Sequence, residues 1–181
     1  MRANEFVRVV KRIKGAQAVS STGQALGHVT DVYVHPTEGC WLGVLLETPE
    51  GARYACAADY CQFVSKPCLL TLSENALVSP QKFTDAHAGC ALVCQQLIGA
   101  RVISEQGELL GYVSEILLQP ETHTTLYHIA VANWRRWFRL GFYLAGNAPR
   151  FYSSFGSRLI VPANQQPLDV TTEPHHIHVN R

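Results

Sequence analysis

The chain has 181 residues, of which 47% are hydrophobic and 16% are charged, and its formal net charge is +1. This length suits one domain or two small ones and excludes a large multidomain enzyme. The apolar content excludes a disordered chain, and the near-neutral balance argues against a strongly basic nucleic-acid binder.

The N-terminal segment, residues 1–14, is basic, with five basic side chains and one acidic one. We interpret it as a solvated arm in which Arg8, Lys11 and Arg12 can approach an anionic surface. Its scattered charges do not match a secretory signal. No stretch of the chain approaches the roughly 18 apolar residues needed to cross a bilayer. We therefore expect a cytoplasmic protein, either free or peripheral on the cytoplasmic face of a membrane.

An internal repeat follows the arm. Residues 15–37 align without gaps on residues 99–121, an offset of 84, with eight identical pairs. Most of the remaining pairs are chemically alike, such as Asp31 with Glu115. A match of this length at one fixed offset indicates two copies of the same supersecondary unit.

Each copy predicts short strands separated by turn residues. Turn glycines, prolines and runs of β-branched residues delimit the strands of the first copy at 16–20, 26–34, 41–48, 53–57 and 69–72. In the second strand of each copy, one pair of successive apolar residues is three positions apart, whereas strict alternation along a strand requires two. That spacing predicts β-bulges at Thr30-Asp31 and Ser114-Glu115. Bulged short strands favour two small antiparallel β-barrels, and a flat sheet or a sandwich is the alternative.

The predicted fold is therefore all-β, with two tandem small barrels and a short helical connector. Its parts are a basic arm (1–14), a first barrel (15–78), a connector with one short helix expected within 90–97 (79–98), a second barrel with an Arg-rich aromatic insertion (99–165), and a polar His-containing tail (166–181). A barrel of about 70 residues is marginal alone, so we expect the two to pack on each other or on a partner.

The repeated motif resembles the opening half of the PRC-barrel domain. It runs from Gly15 to Pro36 and from Gly99 to Pro120, and contains Gly-x-x-Leu-Gly-x-Val-x-Asp/Glu in both copies. The resemblance implies a small antiparallel β-barrel that serves as an interaction module. Such barrels form the cytoplasmic part of the H subunit of purple-bacterial reaction centres and the C-terminal part of a ribosome-maturation factor. This sequence has no N-terminal membrane helix and has two PRC-like copies, so the resemblance implies fold and general role and no functional residue.

The second copy departs from the first in a cationic aromatic segment, residues 133–143. No acidic residue occurs from Thr122 to Leu168. The segment replaces a Pro-Glu-Gly turn of the first copy, and three interpretations are open: a strand that fills the barrel, a docking surface for protein or membrane, and a nucleic-acid contact. Its position at an insertion favours docking. The predicted contact residues are Trp134, Arg135, Arg136, Trp137, Arg139 and Phe142, together with Arg8, Lys11 and Arg12 of the arm.

The sequence gives little support for catalysis or metal binding. The six cysteines lack the paired spacing of a zinc site, so we interpret them as buried thiols, although Cys90 and Cys94 can share a helical face. His175, His176 and His178 lie in the polar tail. No nucleotide or hydrolase fingerprint occurs. Asp31 and Glu115 are expected to make equivalent turn or backbone hydrogen bonds. We expect no cofactor, no metal and no enzymatic activity.

The leading interpretation is a non-enzymatic scaffold. It would be a peripheral cytoplasmic subunit of a photosynthetic reaction centre or a related membrane complex, with protein subunits as partners. An anionic membrane surface and self-association are further expected contacts, whereas nucleic acid is not an expected partner. The alternative is a ribosome- or RNA-associated assembly factor that binds a ribosomal protein.

Overall fold

The fold is all-β, and its sheet is curled into a half-barrel. The computed structural model describes residues 6–64, 69–88, 91–131, 141–147, 149–152, 158–163, 165 and 168–169. Within these residues one sheet contains sixteen strands. They are β1 (Val7–Arg8), β2 (Gln17–Ser20), β3 (Ala25–His35), β4 (Cys40–Glu47), β5 (Arg53–Ala57), β6 (Cys61–Val64), β7 (Leu69–Leu72), β8 (Leu77–Val78), β9 (Leu92–Val93), β10 (Arg101–Ser104), β11 (Leu109–Gln119), β12 (Thr124–Val131), β13 (Gly141–Ala145), β14 (Arg150–Tyr152), β15 (Arg158–Val161) and β16 (Leu168–Asp169). The helices of the described part are α1 (Pro80–Ala86) and α2 (Cys94–Leu97), with a π-helical turn at Val9–Ile13 and 3-10 turns at Ala58–Tyr60 and Glu74–Ala76.

The strands predicted for the first copy are confirmed to within one residue, as β2, β3, β4, β5 and β7. Turn glycines set these limits. Gly23, with φ +86°, closes the turn between β2 and β3 by donating its N–H to the carbonyl of Ser20 at 2.9 Å. Gly51, with φ +81°, closes the turn between β4 and β5 by donating its N–H to the carbonyl of Thr48 at 2.9 Å. Because only glycine adopts this conformation at little cost, the glycines in the sequence predict where the strands end.

Both predicted β-bulges are confirmed. The ladder between β3 and β4 skips Thr30, and the ladder between β11 and β12 skips Ser114. An extra residue bends the bulged strand and increases its twist. The two longest strands therefore curve, and the sheet curls around one main apolar core that includes Trp41, Ile116 and Tyr127.

The elements of the later part of the chain match those of the earlier part. Strands β10, β11 and β12 begin and end 84 residues after β2, β3 and β4. The first strand of each trio also pairs in parallel with a later strand, β2 with β7 and β10 with β15. We refer to β2–β7 as the first half and to β10–β15 as the second half.

The halves meet through reciprocal contacts where β4 bridges β12. The Trp41 N–H donates to the carbonyl of His123 at 2.9 Å, and the Thr125 N–H donates to the carbonyl of Gly39 at 2.8 Å. Trp41 and Thr125 occupy equivalent positions in the two halves, as do Gly39 and His123. Such a contact, in which each side gives and receives the same bond, is the pattern that a two-fold relation produces.

Each half also receives the segment that precedes the other half. Strand β1 pairs with β11 of the second half, and β9 pairs with β3 of the first half. Val9 and Ile13 of the π-helical turn after β1 are fully buried in the main core, whereas Lys11 and Arg12 are exposed. The basic arm is thus not simply solvated, because its apolar residues complete the core while its cations face water.

Helix α1 covers the outer face of the first half. It starts at Pro80, after Ser79, whose hydroxyl accepts a hydrogen bond from a backbone N–H of the first turn. The buried Phe83 packs on Tyr33, with ring centroids 4.8 Å apart.

The connector contains one helix more than predicted. The sequence predicts a single short helix within 90–97, and this helix is confirmed as α2, which begins at Cys94 because Leu92 and Val93 form β9. The additional helix is α1, and its short polar sequence is not recognised as helical in the sequence analysis. Among the described residues no helix has both the length and the apolar character required to cross a membrane.

Candidate interaction surface

Most residues of the predicted contact segment fall outside the described part of the chain. Trp134, Arg135, Arg136, Trp137 and Arg139 belong to residues 132–140, between β12 and β13, and lie outside it. Phe142 is described: it is half-buried on β13 and packs against the main core. Its ring therefore contributes to core packing as well as to the surface.

The basic residues of the arm lie beside the second half. Arg8 is half-buried on β1, and Lys11 and Arg12 are exposed. In the described part of the chain no ion pair involves them. Their charges therefore remain available on the surface next to β11.

The connection that contains the tryptophans is longer than its equivalent in the first half. Strands β4 and β5 are joined by residues 48–52, whereas β12 and β13 are joined by residues 132–140. The shorter connection is a tight turn, in which the Thr48 N–H donates to the carbonyl of Ala52 at 2.9 Å. The two hairpins are otherwise equivalent, so the extra length is a local addition to the second half.

A row of side chains crosses the outer face of the second half. Arg158 on β15 lies beside Arg101 on β10, and Arg101 lies opposite Tyr112 on β11. Residues in direct register point to the same face of a sheet, and neighbouring strands are about 4.8 Å apart. Arg101 is exposed, Arg158 is half-buried and Tyr112 is 42% exposed. We call these three residues the cationic row.

The positive charge of the cationic row is not neutralised nearby. Within the described residues neither Arg101 nor Arg158 forms an ion pair. The first half has Gln17 at the position of Arg101. The exposed Arg53 of the first half is paired with Glu47, with Nε and Oε2 3.1 Å apart. At the equivalent described positions, the first half therefore has no matching row of unpaired cations.

A hydrogen-bonded pair lies next to the cationic row. The hydroxyl of Ser114 is 2.6 Å from Nδ1 of His128, whose ring lies 5.1 Å from that of Tyr143. Burial lowers the pKa of His128, and the nearby charges of Arg8 and Lys11 lower it further. A largely neutral imidazole can thus hydrogen-bond the bulge residue and join β11 to β12.

The two bulge carboxylates have structural partners. Asp31 and Glu115 are both buried, and each accepts a hydrogen bond from the backbone N–H of the next residue, at 2.8 Å and 3.1 Å. Asp31 also accepts bonds from the Gln95 N–H at 3.2 Å and from Nζ of Lys14 at 3.4 Å. The expectation that these residues make equivalent backbone hydrogen bonds is confirmed.

The described cysteines are free thiols, namely Cys40, Cys56, Cys61 and Cys94. Cys94 is fully buried, and its burial raises the pKa of its thiol well above the usual value. No group of three or more His, Cys, Asp or Glu side chains in the described part is arranged to hold a metal ion. Cys68, Cys90, His175, His176 and His178 lie outside that part.

No protein-family model matches the chain, and no curated protein matches it. Three features bear on function: the cationic row, the arm that pairs with the same strand β11, and the long connection. Sequence reasoning missed the row, because its residues become neighbours only through strand register. One feature of the sequence could have indicated the row: the two copies differ at exposed positions, where Gln17 is replaced by Arg101 and His28 by Tyr112.

Proposed function

We propose that the protein is a non-enzymatic scaffold made of two PRC-like barrels. It serves as a peripheral subunit of a membrane protein complex, a photosynthetic reaction centre or a related assembly. The repeated motif and the matching strand limits at an offset of 84 support the pair of barrels. The mutual exchange of segments between the halves supports a single rigid platform instead of two independent modules.

The observation that carries the proposed docking role is the long connection between β12 and β13. By sequence it contains Trp134, Arg135, Arg136 and Trp137, where the first half has a tight turn. Scaffolds commonly carry their binding residues on such additions, and Trp and Arg dominate the energetics of protein interfaces. The connection is therefore the proposed contact with the complex.

Affinity purification from detergent-solubilised membranes of the native cells tests this proposal. Tagged wild-type protein should recover membrane-embedded subunits, and the variant Trp134→Ala/Arg136→Ala should lose them. The matched control is Arg53→Ala/Tyr54→Ala, which removes an Arg and an aromatic residue from the equivalent hairpin of the first half. This control should retain the partners.

Two outcomes would contradict the proposal. One is recovery of the wild-type protein without associated membrane subunits. The other is equal recovery of partners by both variants. Cosedimentation with ribosomal particles, together with a steep salt dependence of RNA binding, would instead favour an assembly factor.

A further inference from the structure

We propose that the cationic row, Arg101, Tyr112 and Arg158, binds the anionic phospholipid headgroups of a bilayer. This inference deepens the proposed function and rests on it, since it names the surface that faces the membrane around the complex. Arg101 and Arg158 stand side by side in parallel register without an ion pair in the described part of the chain. Two adjacent like charges are unfavourable unless an anion joins them, and a headgroup phosphate supplies one.

Other positive groups lie further along the same strand. Arg8 on β1 lies opposite Leu117 on β11, five residues from Tyr112. Burial, with the charges of Arg8 and Lys11, also lowers the pKa of His128 on the neighbouring strand. Strand β11 and its neighbours therefore carry four basic side chains from three separate parts of the chain. Each basic residue near an anionic membrane surface contributes binding energy, and the contributions add up over a cluster.

The strand register also relates the row to the long connection. Tyr112 lies opposite Ala130 on β12, and Ala130 lies opposite Gly141, where β13 begins. The line of the row therefore runs across the sheet to the strand ends that flank residues 132–140. A planar target that meets the row also reaches the base of that connection.

A lipid surface fits this face better than an acidic protein does. The row combines arginines with a tyrosine that is 42% exposed, and Tyr and Trp are the residues enriched at headgroup level. The composition of the flanking connection, with Trp134 and Trp137 among arginines, has the same bias. Charge complementarity alone would also admit an acidic protein partner, and the experiment distinguishes the two.

Vesicle cosedimentation of the purified full chain tests the inference. The probes are vesicles of phosphatidylcholine mixed with phosphatidylserine, and vesicles of phosphatidylcholine alone, at about 0.1 M salt, where exposed charges act over about 10 Å. The test variant is Arg101→Gln/Arg158→Gln, in which position 101 takes the residue found at the equivalent position 17. The control is Arg53→Gln/Lys82→Gln, which removes the same charge from exposed sites of the first half and of α1.

We expect wild-type protein to bind the anionic vesicles and not the neutral ones. At about 1 kcal/mol per basic residue near the surface, the Arg101→Gln/Arg158→Gln variant should partition about 30-fold more weakly. The control should lose less than about 3-fold, because only its long-range charge changes. Both variants should keep the melting temperature of the wild type to within a few degrees, because neither removes a core side chain.

Equal binding by the test and control variants would overturn the assignment of the cationic row, and so would absence of wild-type binding to anionic vesicles. Loss of copurified membrane subunits in Arg101→Gln/Arg158→Gln without any vesicle binding would identify an acidic protein instead and refute the lipid contact. These vesicles contain no protein, so a negative result here leaves the partner purification described above unaffected. Conversely, vesicle binding without recovered subunits would refute the docking proposal alone.

Discussion

Replacing Asp31 with alanine should destabilise the protein strongly, although this residue is outside the proposed surface. Its carboxylate is buried and accepts the N–H groups of Val32 at 2.8 Å and Gln95 at 3.2 Å. Asp31→Ala leaves both donors without this acceptor. A buried donor that loses its partner costs about 1–3 kcal/mol, so two cost about 2–6 kcal/mol together. The ion pair with Lys14, which is 24% exposed, adds at most about 1 kcal/mol.

Urea unfolding followed by circular dichroism measures this cost. With a slope of about 1–3 kcal/mol per molar urea, the midpoint should fall by about 1 M or more. Asp31→Asn keeps one acceptor oxygen and should lose half as much, about 1–3 kcal/mol. The control is Asp59→Ala, whose side chain is 81% exposed, and it should change the free energy of unfolding by less than about 0.5 kcal/mol. If Asp31→Ala behaves like Asp59→Ala, the carboxylate does not hold the α2 segment on the first half.

Three further predictions concern packing, pH and thiol reactivity. Gly39→Ala should lower the free energy of unfolding by about 3 kcal/mol or more in a thermal melt, because a Cβ there would clash with the backbone nitrogen of Asn147. A Cβ at Gly51 would meet nothing within 4 Å, so Gly51→Ala should lower it by only about 1 kcal/mol. Burial lowers the pKa of His128 in the folded state, so unfolding free energy should fall as pH drops below about 6.5. The variant His128→Gln should show a flatter profile between about pH 7 and 5, and an unchanged profile would refute this. Maleimide labelling of native protein, read by mass spectrometry, should modify the half-buried Cys40 before the fully buried Cys94; the reverse order would contradict the burial described.

The strands and bulges were predictable because their signals are local. Gly23 and Gly51 mark turns within a few residues, and the irregular apolar step at Thr30 is visible within one strand. The equivalent roles of Asp31 and Glu115 followed from aligning the two copies. Helix α1 is also locally marked, by Ser79-Pro80, but its short polar sequence lacks the long apolar period by which a helix is predicted.

The pairing of distant segments could not be predicted in the same way. Nothing in the sequence of β1 shows that it pairs with β11 instead of a strand of the half that follows it. The cationic row could not be predicted for the same reason, because Arg101 and Arg158 become neighbours only when β10 and β15 pair in parallel. The local sequence thus predicts the strands and helices, whereas the strand that pairs with each sheet edge depends on how the whole sheet curls.

The exchange of segments between the halves has a consequence for synthesis on the ribosome. Val7 pairs with Leu118, so more than a hundred residues must be translated before β1 can find its place. At about 5–20 residues per second, Phe6, Val7 and Val9 stay without their native partners for about 5–20 s. All three are buried in the finished protein. Basic side chains lie among and directly after these residues, namely Arg8, Lys11 and Arg12. We expect these charges to oppose aggregation of the exposed apolar segment during this interval.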